Sequence, residues 1–171
     1  MKHKKQFIVD IGSIRRQPGA RMEVKLEGKL PDLQISFSKV DEDEAISLEV
    51  LLEQVYEGIL VTGRLSTKWQ GDCRRCLGSA EGRLTADIRE LYAEHMNDEL
   101  VYELSGEELD LEPLVHDSCI LSLPLAPLCK TDCAGICAGC GVNLNIGSCS
   151  CAAPVDPRWS KLSLVLEQND T

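Results

Sequence analysis

The stretch "GILVTGRLSTKWQGDCRRCLGSAEGRLTADIRELYAE", residues 58–94, decides how this chain folds. On both sides of its centre, apolar and polar residues alternate with the period of two that marks a half-buried strand. Between the alternating flanks lies "CRRC", Cys73 to Cys76, and Gly58 and Gly78 sit where hairpin turns are needed. The stretch therefore reads as two antiparallel strands with a C-x-x-C at the turn that joins them.

Outward from this hairpin, "AISLEVLLEQVYEG" (residues 45–58) suits helix or strand by periodicity alone, and its neighbour favours strand. Further back, "ARMEVKLEGKL" alternates Met22, Val24 and Leu26 with Glu23, Lys25 and Glu27. "LQISFSKV" is an extended piece between Pro31 and the acidic run Asp41 to Glu44, and "QFIVDIGSI" is a short strand. On the other side, Ser105 followed by Glu108 resembles a capping box. It predicts a helix lined by Leu111, Leu114, Val115 and Ile120 and ended by Pro124 and Pro127. Trp159, Leu162 and Leu166 have the spacing of a short terminal helix. The expected fold is α+β: an antiparallel meander of five or six strands, one or two helices, and a C-terminal cysteine-rich loop. The expected divisions are a β-rich domain over 1–104, a helical connector over 105–127, the loop over 128–151, and a helix over 152–171 that packs back on the domain.

Composition narrows the function. Of the 171 residues, 43% are hydrophobic and 27% charged, which suits a globular chain with a sizeable core. Aromatics stand at 4%, so broad stacking platforms for single-stranded bases are not expected. No run approaches the roughly 20 apolar residues of a membrane span. "FIVDI" is broken by Asp10 and is too short for the apolar part of a secretory signal. The expectation is a cytoplasmic protein with no membrane partner. The net charge of −10 argues against tight non-specific nucleic-acid binding. It is unevenly spread: residues 41–60 carry seven acids and no base, whereas residues 61–90 carry six bases against four acids.

Nine cysteines are the strongest chemical signal, and six of them fall between Leu128 and Cys151. In a reducing compartment such clusters bind metal or do redox work more often than they form disulfides. Cys137 and Cys140 form "CAGC" with Gly141 next, a spacing that lets backbone N–H groups point at thiolate sulfurs, as in structural zinc sites. A thioredoxin-like role would need a βαβ setting that neither C-x-x-C has, and the loop spacings match neither common ferredoxin pattern. Structural zinc, one ion or two, fits best, with iron–sulfur ligation as the rival. Cys119, inside the apolar "SCILSL", reads as a small buried hydrophobe. The other eight are candidate ligands. One division sets Cys73 and Cys76 with Cys129 and Cys133, and Cys137 and Cys140 with Cys149 and Cys151; a single site made of loop cysteines is the alternative, and spacing does not choose. No phosphate-binding glycine motif is present, His3, His95 and His116 stand far apart, and the carboxylates lie in charge runs. The sequence reads as a non-enzyme with no small-molecule substrate.

"CRRC" after alternating strands, then "LSLPLAPLCKTDCAGICAGCGVNLNIGSCSC", then "DPRWSKL", resembles the YceD family, also called domain-of-unknown-function family 177. The family is known as large ribosomal RNA subunit accumulation protein. The resemblance implies a bacterial cytoplasmic factor in large-subunit (23S) rRNA processing or ribosome assembly; it carries over no catalytic residue. Two function classes follow. The first is a non-enzymatic assembly factor that touches large-subunit rRNA, a basic large-subunit ribosomal protein, or both. Its candidate RNA contacts are Arg74 and Arg75 at the turn, with Arg64, Lys68 and Arg83 on the adjoining strands. The second is a thiol redox or metal-handling protein that uses the C-x-x-C pairs.

Overall fold

A computed structural model describes residues 6–94 and 102–152. Eight strands and one helix follow in the order β1 (Ile8–Asp10), β2 (Arg21–Gly28), β3 (Ser38–Lys39), β4 (Ile46–Val55), β5 (Gly58–Asp72), β6 (Ser79–Ala93), β7 (Tyr102–Glu103), β8 (Glu108–Asp110) and α1 (Glu112–Ser122). The main sheet runs β2-β4-β5-β6-β7, with β3 paired to β5; β1 and β8 form a separate two-stranded ribbon. The predicted hairpin is its spine. β5 and β6 pair antiparallel from Ile59↔Tyr92 to Asp72↔Ser79. The ambiguous stretch before Gly58 is strand β4, which pairs antiparallel with both β2 and β5.

Period-two alternation becomes one buried sheet face. Ile46, Leu48, Val50 and Leu52 on β4 sit beside Ile59, Val61 and Leu65 on β5 and Leu84, Ile88 and Tyr92 on β6, all buried. Over this face lie the ribbon and the helix. Phe7, Val9, Leu109, Leu111, Leu114, Val115 and Cys119 join the same hydrophobic cluster. Tyr92 ties the layers together: its hydroxyl donates to the Asp110 carbonyl at 3.1 Å and its ring stacks on Tyr102 at 5.0 Å. Gly58 is required where β4 turns into β5, because a Cβ there would stand 1.9 Å from the Tyr92 carbonyl oxygen. β2 is the outermost described strand on its side, and its polar residues pair across to β4, Arg21 with Glu53 at 2.8 Å and Lys25 with Glu49 at 2.9 Å.

Two expectations change. The capping box at Ser105 and Glu108 does not start the helix, for Glu108 opens β8 and the N-cap is Leu111, which makes no side-chain cap. Burial of Leu109 and pairing with Val9 hold this segment extended. The first helical turn instead finds Asp110, whose Oδ1 accepts the Glu112 N–H at 3.0 Å, and a proline suited to the first turn. The second change is β7, which pairs parallel to β6 rather than continuing the antiparallel meander. The terminal helix expected over 152–171, with Trp159, Leu162 and Leu166, lies outside the described residues. No helix among the described residues is long and apolar enough to cross a membrane.

Past Ile46, where β4 begins, the β5–β6 hairpin runs on toward its turn. There β3 takes up the open edge of β5, pairing Ser38 with Gly71 and Lys39 with Gln70. A second, smaller core lies under this end: Cys73, Ala80 and Cys133, with Trp69, Cys76 and Leu128 packed against them. Trp69 packs against both cores and so joins sheet to turn.

Candidate metal centre

The eight candidate ligands gather into two groups of four, Cys73, Cys76, Cys129 and Cys133 in one and Cys137, Cys140, Cys149 and Cys151 in the other. Within each group all sulfurs lie within 4.8 Å of one another. In the first group Cys73 and Cys133 are 3.7 Å apart and Cys76 and Cys129 are 3.6 Å apart. A disulfide would hold sulfurs at about 2.05 Å, whereas a tetrahedron of thiolates at about 2.3 Å from zinc has edges of about 3.8 Å. The spacing is too long for disulfides and could hold a metal ion.

Each group is built on a C-x-x-C turn, and the two turns share one hydrogen-bond pattern. In the first, the Leu77 N–H donates to the Cys73 carbonyl at 2.9 Å and the Cys73 N–H to the Gly78 carbonyl at 2.8 Å. In the second, the Gly141 N–H donates to the Cys137 carbonyl at 2.8 Å and the Cys137 N–H to the Val142 carbonyl at 2.9 Å. The residue after the second cysteine must take a positive φ to close such a turn. Gly141 does so at 75° without strain; Leu77 does so at 59°, where its Cβ is crowded. The partners of the first turn arrive from the chain after α1. The Ser38 hydroxyl donates to the Pro124 carbonyl at 2.9 Å and the Arg74 N–H to the Pro127 carbonyl at 2.9 Å, which delivers Cys129 and Cys133.

Backbone donors and neighbouring thiols make the sulfurs unequal. Backbone N–H groups of Cys129, Cys76 and Arg75 pull the Cys73 thiol down to about 6. Those of Cys140 and Gly139, helped by the Cys149 thiol, pull Cys137 down to about 6. Cys129, facing Cys133, is pushed up to about 12. Four thiols this close do not all ionise unless a positive charge sits among them, and a dication supplies it. Cys119 stands apart from both groups, buried on α1, its thiol pushed up to about 12 by burial.

The five cationic candidates are divided. Lys68 and Arg83 face each other across β5 and β6, but Lys68 also pairs with Glu44 at 3.3 Å. Arg64 pairs with Asp87 at 2.9 Å. At the turn, Arg74 lies over the Phe37 ring, 3.8 Å from its centroid. Arg75 donates to the Cys133 carbonyl at 3.0 Å, and its own carbonyl accepts the Ile136 N–H at 3.1 Å. Arg75 is thus a clamp between the two cysteine groups, a part that its place in "CRRC" does not betray. Asn145 was equally silent in the sequence: its side-chain amide donates to the Cys133 sulfur at 3.3 Å, and its Oδ1 accepts the Ala134 N–H at 2.9 Å. "VNLN" in a glycine-rich loop was its one signal, because asparagines there often bond nearby backbone.

The model of the family described as large ribosomal RNA subunit accumulation protein YceD matches residues 61–165. The chain belongs to the YceD family. The match takes in most of the β5–β6 hairpin and both cysteine groups, while Phe37, Ser38 and Glu44, which meet the hairpin and the chain after α1, lie before it. Relatives include uncharacterized proteins of Mycobacterium tuberculosis and Mycobacterium bovis, each 34% identical over 95% of this chain and 83% of the relative. One of Mycobacterium leprae is 28% identical over 93% of this chain and 77% of its own length. No solved structure matches the chain.

Proposed function

We propose that this protein is a non-enzymatic factor in the accumulation of large-subunit rRNA, working in the cytoplasm, with the two cysteine groups as structural zinc sites that hold the hairpin tip ready for rRNA. The family match carries this reading, since the family is described by that role and the match covers the tip. Four cysteines around one metal leave no open position for chemistry, so such a site builds shape. It gives the loop over residues 128–151 the stability its few apolar side chains do not supply.

Arg74 is the leading RNA contact. Its guanidinium lies over the Phe37 ring, a stacked arrangement compatible with further bonds to a phosphate. Arg83 has no ion pair among the described residues, whereas Arg64, Lys68 and Arg75 are committed to internal partners. The contact is small, which suits a chain of net charge −10. The test is binding to a large-subunit rRNA fragment over a range of salt. Each phosphate released is worth a slope of about −0.7 on single strands, so Arg74→Ala with Arg83→Ala should flatten the slope by about 1.4 while the fold stays intact. An unchanged slope, together with loss of a basic ribosomal protein on Glu107→Gln and Glu108→Gln, would move the contact to the acidic surface and make the effect on rRNA indirect.

A further inference from the structure

The two cysteine groups are close in sequence as well as in space. Only Ala134, Gly135 and Ile136 separate Cys133 of the first group from Cys137 of the second. Those three residues are held from both sides. On the sheet side, Arg75 accepts the Ile136 N–H at 3.1 Å and donates to the Cys133 carbonyl at 3.0 Å, with Gly135, at φ 76°, laid against the Arg75 carbonyl. On the other side stands Asn145. It belongs to the loop between Cys140 and Cys149, inside the second group, yet its side chain reaches the first: Nδ2 to the Cys133 sulfur at 3.3 Å. The side chain is itself held in place. Nδ2 also donates to Asn143 Oδ1 at 2.8 Å, and the same Asn143 Oδ1 accepts the Asn145 N–H at 2.9 Å. The second group's own loop is fixed by the Cys137–Val142 and Leu144–Gly135 bonds.

From this we infer that Asn145 is a positioning residue for the first metal site, contributed by the loop that the second site folds, so that the first site keeps its metal only as tightly as the second site is formed. The inference rests on the metal reading proposed above and goes beyond it by linking the two sites. A metal-bound cysteine is a thiolate, and an N–H donated to it is a charge-assisted bond that fixes the ligand's direction. Outer partners of this kind are worth about 10- to 100-fold in metal affinity. The first site has its own foundation at the β5–β6 turn, and Asn145 is the side chain of the second loop that reaches one of its sulfurs.

The experiment follows zinc loss from the full chain under anaerobic conditions as a chelator is raised, with cobalt(II) spectra as a second readout of thiolate coordination. The variant Cys73→Ser with Cys76→Ser, which keeps only the second group, assigns the steps. Asn145→Ala should move the first-site step to about 10- to 100-fold less chelator, and Cys137→Ser with Cys140→Ser should move the same step the same way. Asn145→Asp separates this from mere loop holding. Aspartate still accepts the Ala134 N–H but puts a carboxylate against the sulfur, so it should lose first-site metal at least as readily as alanine does. An aspartate variant that retains metal like the wild type overturns the inference, as does an alanine variant with an unmoved step. Wild-type protein that binds two zinc ions while Asn145 proves silent removes only the link between sites. Wild-type protein that binds none removes the metal reading and the inference with it.

Discussion

Leu77 holds a backbone conformation that glycine occupies at the matching place in the second turn, and closure of the turn requires it. Left-handed geometry costs a leucine about 1–2 kcal/mol, and glycine returns about 0.5–1 kcal/mol of that through its looser unfolded chain. Leu77→Gly should therefore raise stability by up to about 1 kcal/mol, measured by denaturant unfolding. The side chain is 68% exposed and little packing is lost. A residue kept in strain and pointed at solvent is a sign of use, so the same variant is expected to weaken rRNA-fragment binding. Equal binding would leave closure of the turn as the role of the strain. Cys119 makes the opposite case. With its thiol pushed up to about 12 by burial, it carries almost no thiolate at neutral pH. Cys119→Ala should leave metal content unchanged and cost roughly 1 kcal/mol through lost packing. A drop in bound zinc would show that it serves a site after all. Among the residues, the eight cysteines that gather into two groups were legible because cysteine spacing is a chemical signal. Arg75 and Asn145 were not, because their work depends on which backbone lies opposite them in space.

The β5–β6 hairpin is the element that carries both the core and the cysteine groups. Its strands were readable from alternation alone because one face meets the core and the other meets water. The helix start was misread for a related reason. Ser105 and Glu108 have the right spacing for a cap, but burial of Leu109 beside Val9 outweighs a preference worth about 1 kcal/mol. The parallel partner β7 left no trace in the sequence, since strand direction is set by where the chain returns. At this scale the hairpin predicts a clean separation. Cys137→Ser with Cys140→Ser should strip protection from hydrogen exchange over residues 128–151 while amides of β4, β5 and β6 stay protected. Loss of protection throughout would show the loop to be integral to the sheet. Leu48→Ala, fully buried on β4, should do the reverse: destabilise the sheet by about 2–5 kcal/mol and leave zinc content unaltered at temperatures where the protein is still folded.

For the molecule as a whole, metal and charge are linked in a direction that runs against intuition. Counted from neutral thiols, four that take up one dication and release four protons become a unit of charge −2, so two loaded sites would carry the formal charge from −10 to −14, less whatever Cys73 and Cys137, each pulled down to about 6, already contribute without metal. Adding zinc to the metal-free protein should therefore increase its mobility toward the anode on a native gel, and a decrease would place the cation on carboxylates instead. On the proposed reading, the extra negative charge would sit next to the arginines of the tip and weaken any contact they make with an anion. That β2 is the outermost strand on its side among the described residues has a consequence of another kind. An open strand edge invites a second copy of the chain to add to it, and the cross-strand pairs of Arg21 with Glu53 and Lys25 with Glu49 set charge along that rim. A neighbouring molecule that docked there would have to strip those charges of water. Replacing Arg21 and Lys25 with valine would remove that barrier, and the protein would be expected to grow into fibres or precipitate at concentrations where the native chain stays in solution.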